Sequence, residues 1–185
     1  MTPFTYGEIT FEPVAEVLLY LKEQDLLPKF DDARKLVFYD LGSGFGKPCL
    51  AAALSLPSIF STCYGIEYLE GLYAKSLELK ADYDSYKLEQ TSHHTAEIQY
   101  LKDDFLANTS WVTKADIIFV NATCFEDHMV ASISKTLVES LTPGSLVIIT
   151  TKVLQYREGV DFKRIGPFKK EMSWGSATVN IYIKL

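Results

Sequence analysis

The segment Asp40-Leu-Gly-Ser-Gly-Phe-Gly-Lys47 contains three glycines spaced two residues apart. It follows an apolar run at 36–39, whose residue types favour a buried β-strand, and it precedes Pro48, which suits the first turn of a helix. Glycines allow the backbone to turn tightly and to approach a ligand without interference from a Cβ atom. A strand, a glycine turn and a helix in this order predict a ligand crevice at the carboxyl end of a parallel strand.

Apolar patterns typical of helices and of strands alternate along the rest of the chain. Strands alternating with helices imply crossover connections and a parallel sheet covered on both faces. Beyond residue 151 the helical pattern stops, which predicts an antiparallel hairpin at one edge of the sheet. Thr10 is the expected N-cap of a first helix whose apolar face is formed by Val14, Val17, Leu18 and Leu21. We expect strands at 36–39, 62–66, 98–101, 117–120, 146–150, 162–168 and 179–183, and helices near 48–56, 69–88 and 130–141.

The chain has 185 residues, of which 48% are apolar, and a formal net charge of −6. These values predict one globular domain and argue against a disordered chain and against a dedicated binder of nucleic acid phosphates. The longest apolar run, 49–54, is far shorter than the roughly 20 residues of a membrane helix. Three scattered cysteines predict neither a disulfide framework nor a zinc site, so we expect no metal. Without a secretory signal pattern at its start, we expect the protein to be intracellular, either cytoplasmic or nuclear.

Three kinds of glycine-turn site match the segment to different degrees. A phosphate-binding P-loop needs four residues before its Gly-Lys pair and then Ser or Thr, but here three residues separate Gly42 from Gly46, and Pro48 follows Lys47. A dinucleotide site needs the pattern G-x-G-x-x-G, and here the third glycine comes one position early. Both alternatives stay open, and the third is a site for S-adenosylmethionine.

Acidic residues at the ends of predicted strands favour the S-adenosylmethionine site. Asp40 comes two positions before the first glycine, where a carboxylate suits a cationic ligand and would repel a phosphate. Glu67 ends the second predicted strand and can accept both hydroxyls of a ribose. Asp104 follows the third strand and can accept from an adenine amino group, with Phe105 beside it for stacking. The alternative is that acidic residues end these strands only because loops are polar.

Five motifs, taken in order along the chain, resemble those of class I methyltransferases. They are most similar to the catalytic domain of the non-SET histone-lysine methyltransferases, the "disruptor of telomeric silencing" family. The resemblance implies a doubly wound, Rossmann-like α/β fold with a seven-stranded, mostly parallel sheet and an antiparallel C-terminal hairpin. It also implies S-adenosyl-L-methionine as the cofactor. The five motifs are 5–11, 40–46, 64–67, 104–105 and 119–121.

The resemblance also implies a division of the single domain, 1–185, into three parts. A loop and helix that cover the cofactor occupy 1–35, the cofactor-binding core occupies 36–150, and the hairpin occupies 151–185. The chain departs from the family's pattern at Lys47, where Gln is usual, and at Ala122, where a second Asn is expected. The residues expected to bind the cofactor are Tyr6, Glu8, Thr10, Asp40, Gly42, Ser43, Gly44, Gly46, Glu67, Asp104, Phe105 and Asn121.

Asn121, Trp174 and Tyr182 are the catalytic residues that the resemblance implies on the acceptor side. Asn121 would orient the acceptor amine and the cofactor through its side-chain carbonyl or its backbone, unless it only caps a strand-to-helix turn. Trp174 and Tyr182, together with Phe125, are candidate walls of a lysine channel, although large aromatic residues are more often part of the core. Placing Tyr182 in the channel requires a one-residue shift, because Ile181 aligns with the family's channel tyrosine.

These features predict an S-adenosylmethionine-dependent N-methyltransferase whose substrate is a protein presenting a lysine, histone or non-histone. The alternatives are a methyltransferase of a small-molecule amine or other metabolite, and a catalytically silent scaffold that binds the cofactor. We expect neither nucleic acid as the direct substrate nor a membrane. Six basic and two acidic residues between Lys152 and Lys170 give a local charge of +4, which leaves −10 for the rest of the chain. This stretch would attract an acidic partner or is an ordinary solvated sheet edge.

Overall fold

The computed structural model of the protein describes residues 9–31, 33–89, 95–172 and 175–185. These residues form seven strands and four α-helices, and a single turn of 3-10 helix, Ala122–Cys124, follows the fourth strand. The connection between the third and fourth strands consists of turns rather than a helix. In chain order the elements are α1 (Phe11–Glu23), β1 (Leu36–Leu41), α2 (Lys47–Ser55), β2 (Phe60–Glu67), α3 (Glu70–Glu89), β3 (Glu97–Lys102), β4 (Ile117–Asn121), α4 (Asp127–Ser140), β5 (Leu146–Thr150), β6 (Phe162–Met172) and β7 (Gly175–Lys184).

The seven strands form one sheet in the order β3-β2-β1-β4-β5-β7-β6. The first five strands in this order, β3, β2, β1, β4 and β5, are parallel to one another. In contrast, β7 is antiparallel to both β5 and β6. This topology confirms the predicted doubly wound α/β fold with an antiparallel C-terminal hairpin. The strand order reverses between β1 and β4, and open α/β sheets bind ligands outside the carboxyl ends of the strands at such a point. The crevice therefore lies beyond Leu41 and Asn121.

Two apolar layers, one on each face of the sheet, form the core. Successive residues of β1 point into opposite layers: Phe38 packs with residues of α1 and α2, and Tyr39 packs with residues of α4. The apolar face predicted for α1 is buried, as expected. Each fully buried apolar side chain of this kind contributes roughly 1.5–3 kcal/mol. Because the two apolar layers stabilise the sheet, the edge formed by the carboxyl ends of its strands can carry polar groups.

Thr10 occupies the N-cap position of α1, but its side chain makes no capping hydrogen bond. The predicted N-cap position is therefore confirmed, but the hydroxyl does not stabilise the first turn as an N-cap side chain usually does. None of the helices within the described ranges is both long enough and apolar enough to cross a membrane.

Candidate cofactor and acceptor site

The glycine turn after β1 has a backbone that only glycine adopts without strain. Gly42, Gly44 and Gly46 have φ angles of 76°, 54° and 88°, all in the left-handed region. The amides of Gly42 and Ser43 both donate to the carbonyl oxygen of Ile66 on β2, at 2.9 and 3.0 Å. These bonds fix the turn against the end of the neighbouring strand. The turn is thus part of the sheet edge and directs its backbone into the crevice.

Tyr100, on β3, contacts the glycine turn and supports it. Its hydroxyl donates to the carbonyl oxygen of Gly46 at 2.8 Å. A Cβ atom at Gly46 would lie 2.3 Å from the Tyr100 ring, and one at Gly65 would lie 2.7 Å from it. The close approach of this ring, as well as the φ angle, therefore requires glycine at position 46. This role could not be predicted from the sequence, because Tyr100 is only one buried residue of an alternating strand.

Glu67 ends β2 and links that strand end to the glycine turn. Its side chain is buried, and its Oε2 accepts from the amide of Gly44 at 2.8 Å. Its Oε1 accepts from the amide of Leu69 at 2.7 Å. The carboxylate predicted to bind a ribose is therefore held in place by backbone amides on both sides of it.

Asp40 lies at the end of β1 with only 1% of its surface exposed. Neither oxygen of its carboxylate has a hydrogen-bond partner among the described residues, and the same holds for Ser43 Oγ. Burial, and then the charge of Glu67, raise the pKa of Asp40 well above its ordinary value. Leaving buried polar groups unsatisfied costs about 1–3 kcal/mol each. Such groups in a crevice therefore indicate a ligand that supplies donors and positive charge.

Asp104 and Phe105 follow β3, and the Phe105 ring lies beside the same turn. Asp104 Oδ1 accepts from the amide of Leu106 at 2.8 Å, which forms a local turn. The Phe105 ring stacks on Phe125 with centroids 5.7 Å apart and an interplanar angle of 23°. A Cβ atom at Gly42 would lie 2.8 Å from Phe125 and 3.8 Å from Phe105. The structure therefore brings Phe105 and Phe125 next to the first glycine of the turn.

Asn121, at the end of β4, is held by hydroxyl groups. Its Oδ1 accepts from Thr150 Oγ1 at 2.6 Å and from Thr123 Oγ1 at 2.9 Å. Thr123 Oγ1 in turn lies 2.9 Å from Thr151 Oγ1. The side-chain carbonyl that was expected to orient an acceptor amine is therefore already occupied, which corrects that part of the prediction. The residue itself lies at the predicted edge of the sheet, on the strand adjacent to β1.

Tyr182 is not brought to this edge. It is fully buried, its ring packs edge-on against Tyr156 and Phe162, and its hydroxyl accepts from the amide of Leu154 at 3.3 Å. It pairs with Val147, near the start of β5. The prediction that Tyr182 lines an acceptor channel is therefore wrong in this structure, because β7 runs antiparallel and carries this residue away from the carboxyl ends.

Asn180 lies nearer to that edge than Tyr182 and was missed by the sequence reasoning. It pairs with Ile149, is fully buried, and donates from Nδ2 to the carbonyl oxygen of Lys152 at 3.0 Å. Its Oδ1 accepts from Nη2 of Arg164 at 2.5 Å. The available signal was a polar residue within the otherwise apolar alternation of 179–183.

Three residues predicted to form the site, Tyr6, Glu8 and Trp174, lie outside the described residues.

Among the described residues, carboxylates of the chain pair with three of the six basic side chains in the stretch from Lys152 to Lys170. Lys152 pairs with Asp127 on α4, and Lys170 pairs with Glu16 on α1. Arg157 contacts Asp161 through two side-chain bonds and one backbone bond, and these bonds lower the pKa of Asp161 to about 2. The local charge of +4 is therefore partly neutralised by the fold.

A family model described as "Histone methylation protein DOT1" matches residues 1–185, the full length of the chain. The chain belongs to this family. The membership confirms the resemblance seen in the five motifs. As a DOT1-family protein with the class I fold, it is a methyltransferase, and its cofactor is S-adenosylmethionine. Among curated proteins, none matches the chain.

Solved structures share the fold at low sequence identity. Magnesium protoporphyrin IX methyltransferase (ChlM) from Synechocystis, solved with bound SAH, is 12% identical with a TM-score of 0.65, covering 95% of this chain and 83% of its own. The yhhF protein of Escherichia coli is 14% identical with a TM-score of 0.65, covering 98% and 90%. The rRNA methyltransferase aviRa from Streptomyces viridochromogenes is 11% identical with a TM-score of 0.60, covering 97% and 87%. These likenesses show the fold alone.

The described residues fit S-adenosylmethionine. When bound, this cofactor supplies a methyl group attached to positively charged sulfur. Asp40 and Ser43 provide buried acceptors that the protein itself leaves unsatisfied. Glu67 provides a second carboxylate, and the glycine turn lets the rings of Phe125 and Tyr100 lie directly against its backbone. The chain's own residues therefore supply the negative charge and the unsatisfied acceptors that suit this cofactor.

Proposed function

We propose that the protein transfers the methyl group of S-adenosylmethionine to the side-chain nitrogen of a lysine in a protein substrate. One observation carries the proposal: in a chain of a histone-methylation family, the side chains that contact one another at the ends of β4 and β5 are neutral. They are the amide of Asn121 and the hydroxyls of Thr123 and Thr150. A carboxylate in this place would hold an incoming lysine in its protonated form.

Methyl transfer requires little covalent chemistry from the protein itself. The lysine ammonium first loses one proton to solvent. The lone pair of the neutral nitrogen then forms the new carbon–nitrogen bond while the methyl–sulfur bond breaks and its electrons stay on sulfur, so that the product is a methylammonium. Positioning carries most of the rate in such a displacement. Asp40 and Glu67 hold the donor side, and the neutral cluster of Asn121 favours the unprotonated amine.

Transfer of radioactive label tests the proposal. The protein is incubated with S-adenosylmethionine labelled in its methyl group, together with nucleosomes, free core histones or a total protein extract, and the products are hydrolysed to amino acids. We expect label in methyllysine. Asn121→Ala should lower the incorporation by at least about tenfold, whereas Gln99→Ala, which removes an exposed amide from β3, should leave it unchanged.

Two outcomes would contradict the proposal. Label confined to small molecules would assign the protein to metabolite methylation, for which a neutral nitrogen-binding edge is equally suited. Cofactor binding without incorporation into any of the three protein fractions would support a silent scaffold, as the departures at Lys47 and Ala122 suggest.

A further inference from the structure

Three residues lie side by side across β1, β2 and β3. Asp40 on β1 pairs with Gly65 on β2, and Gly65 pairs with Tyr100 on β3. Paired residues of neighbouring parallel strands direct their side chains to the same face of a sheet. Here it is the face of Phe38 and Tyr100, which α1 and α2 cover. Because Gly65 has no side chain, the row leaves a gap between Asp40 and Tyr100.

The ring of Tyr100 fills this gap together with Ser43 of the glycine turn. A Cβ atom at Gly65 would lie 2.7 Å from Tyr100 Cδ1 and 2.8 Å from Ser43 Cβ, which is closer than Cβ atoms approach other heavy atoms in proteins. The absence of a side chain at Gly65 therefore lets Tyr100, on the outermost strand of the sheet, reach the turn that follows β1.

The hydroxyl of Tyr100 contacts the last glycine of the turn. It donates to the carbonyl oxygen of Gly46 at 2.8 Å, and this bond is buried. Gly46 is also the N-cap of α2, and the same oxygen accepts from the amide of Leu50 at 3.3 Å. Burial, and then the nearby Cys49 and Asp40, raise the pKa of Tyr100, so its hydroxyl keeps its proton and stays a donor. The hydroxyl therefore holds the peptide group at which the turn becomes a helix.

The turn needs such support when the cofactor is absent. Three of its residues are glycines, whose backbone has the widest conformational freedom. Asp40 and Ser43 carry buried oxygen atoms without a hydrogen-bond partner among the described residues, and this cost disfavours the arrangement seen here. If only a fraction of the molecules had the turn in the form that binds, the apparent affinity for the cofactor would fall in proportion.

We propose that Tyr100 is a positioning residue for cofactor binding: it reaches across Gly65, holds the carbonyl group of Gly46 and keeps the glycine turn in the conformation that receives S-adenosylmethionine. It acts through the turn and makes no contact with the reacting methyl group. The inference concerns the donor side of the site and does not depend on which acceptor is methylated.

Tyr100→Phe and Tyr83→Phe form a matched pair of variants. Tyr83 is also buried, and its hydroxyl donates to the carbonyl oxygen of Ala96 at 2.8 Å, before the start of β3 and so at the end of that strand opposite the crevice. Each variant keeps the ring and loses one buried bond to a backbone carbonyl group, so both should fold and lose similar stability towards urea. In isothermal calorimetry with S-adenosylhomocysteine, we expect Tyr100→Phe to weaken the affinity about five- to tenfold. Tyr83→Phe should change it by less than about twofold.

Hydrogen exchange of the cofactor-free protein reports on the turn itself. Amides of the turn donate to the carbonyl oxygen of Ile66, to the side chain of Glu67 and to the carbonyl oxygen of Ser43, so their exchange measures how often the turn opens. In a peptide covering residues 40–46, followed by mass spectrometry, we expect Tyr100→Phe to speed exchange about fivefold. Tyr83→Phe should leave the exchange of this peptide at the wild-type rate.

Three results with folded variants would overturn the inference. The first is an unchanged affinity for S-adenosylhomocysteine in Tyr100→Phe, and the second is an equal loss in both variants, which would show a general effect of stability. The third is a loss of affinity without faster exchange of the turn. A wild-type protein that does not bind S-adenosylhomocysteine would overturn it as well. Absence of labelled methyllysine would contradict only the proposed function, because neither of these measurements uses an acceptor.

Discussion

The carboxylate of Asp40 lowers the stability of the cofactor-free protein and provides an acceptor for the cofactor. It is buried at the end of β1 and has no hydrogen-bond partner among the described residues. Burial and the nearby charge of Glu67 raise its pKa. Without cofactor, the protein therefore favours the protonated form of this group. A cationic ligand reverses that preference by favouring the charged form.

Asp40→Asn should stabilise the protein without cofactor and weaken cofactor binding. Because the pKa of Asp40 is higher in the folded than in the unfolded state, its contribution to stability is present at low pH and is lost as the pH rises through the raised value. At neutral pH the variant should therefore unfold with a free energy about 1–2 kcal/mol higher than the wild type. Its affinity for S-adenosylhomocysteine should fall about 10- to 100-fold.

Urea unfolding at a series of pH values, without cofactor, checks this prediction. The gap between Asp40→Asn and the wild type should widen as the pH rises through the raised pKa. A variant that is less stable than the wild type at neutral pH would contradict the assignment of Asp40 as an unsatisfied buried acid.

Gly46→Ala should destabilise the protein more than a change in φ alone explains. Gly46 and Gly144 both have a φ of 88°, but only Gly46 has a side chain, that of Tyr100, where a Cβ atom would lie. Gly144→Ala therefore measures the cost of a left-handed alanine, roughly 1–2 kcal/mol. Gly46→Ala should lose a further 1–3 kcal/mol, approximately, from overpacking.

Urea denaturation of both variants measures the difference directly. Equal losses at the two positions would show that the Tyr100 ring moves aside at no cost, against the view that it supports the turn.

At the scale of elements, the order of strands and helices and the antiparallel C-terminal hairpin could be predicted, but the register of that hairpin could not. The buried runs and the glycine turn after β1 each carry a local pattern, which is why the core strands and Asp40 and Glu67 were found from the sequence. The position of Tyr182 depends on the register in which β7 pairs with β5. The two-residue alternation of side chains along a strand does not determine which residue reaches the edge of the sheet. The contacts of Asn180 and Thr150 could not be predicted because they join segments far apart in the chain.

The basic stretch from Lys152 to Lys170 is a second case in which contacts between distant segments could not be predicted from the sequence. Its charge is visible in the sequence, but its partners Asp127 and Glu16 belong to α4 and α1. The Lys170–Glu16 pair also connects the first helix to the C-terminal hairpin, where Tyr20 packs edge-on against Phe168 with ring centroids 5.2 Å apart.

Tyr182→Phe tests the assignment of β7 to the core. Removing the hydroxyl deletes the bond from the Leu154 amide, so we expect the free energy of unfolding to fall by about 1 kcal/mol. Methyl transfer to the acceptor found by labelling should stay within about twofold of the wild type. A large loss of kcat without loss of stability would instead return Tyr182 to the acceptor channel.

At the scale of the whole molecule, the fold places a polar crevice at the switch point of a sheet that is otherwise buried on both faces. A ligand that binds only the folded state stabilises it by about 2.7 kcal/mol at a concentration of 100 Kd. For a chain of 185 residues this corresponds to a rise in Tm of about 5–10 °C. We expect that rise with S-adenosylhomocysteine. NAD and ATP with Mg²⁺, the ligands of the two alternative glycine-turn sites, should leave Tm unchanged, and a rise with either of them would favour that alternative.

Isothermal calorimetry of the purified protein with S-adenosylhomocysteine tests whether Asp40, Glu67 and the glycine turn between them hold the methyl donor. We expect saturable binding with one molecule per chain. Glu67→Gln should weaken the affinity about tenfold or more, whereas Glu78→Gln, on the exposed side of α3, should not. A folded wild-type protein that releases or absorbs no heat with this ligand over a range of temperatures, or a Glu67→Gln variant that binds as tightly as the wild type, would contradict the claim.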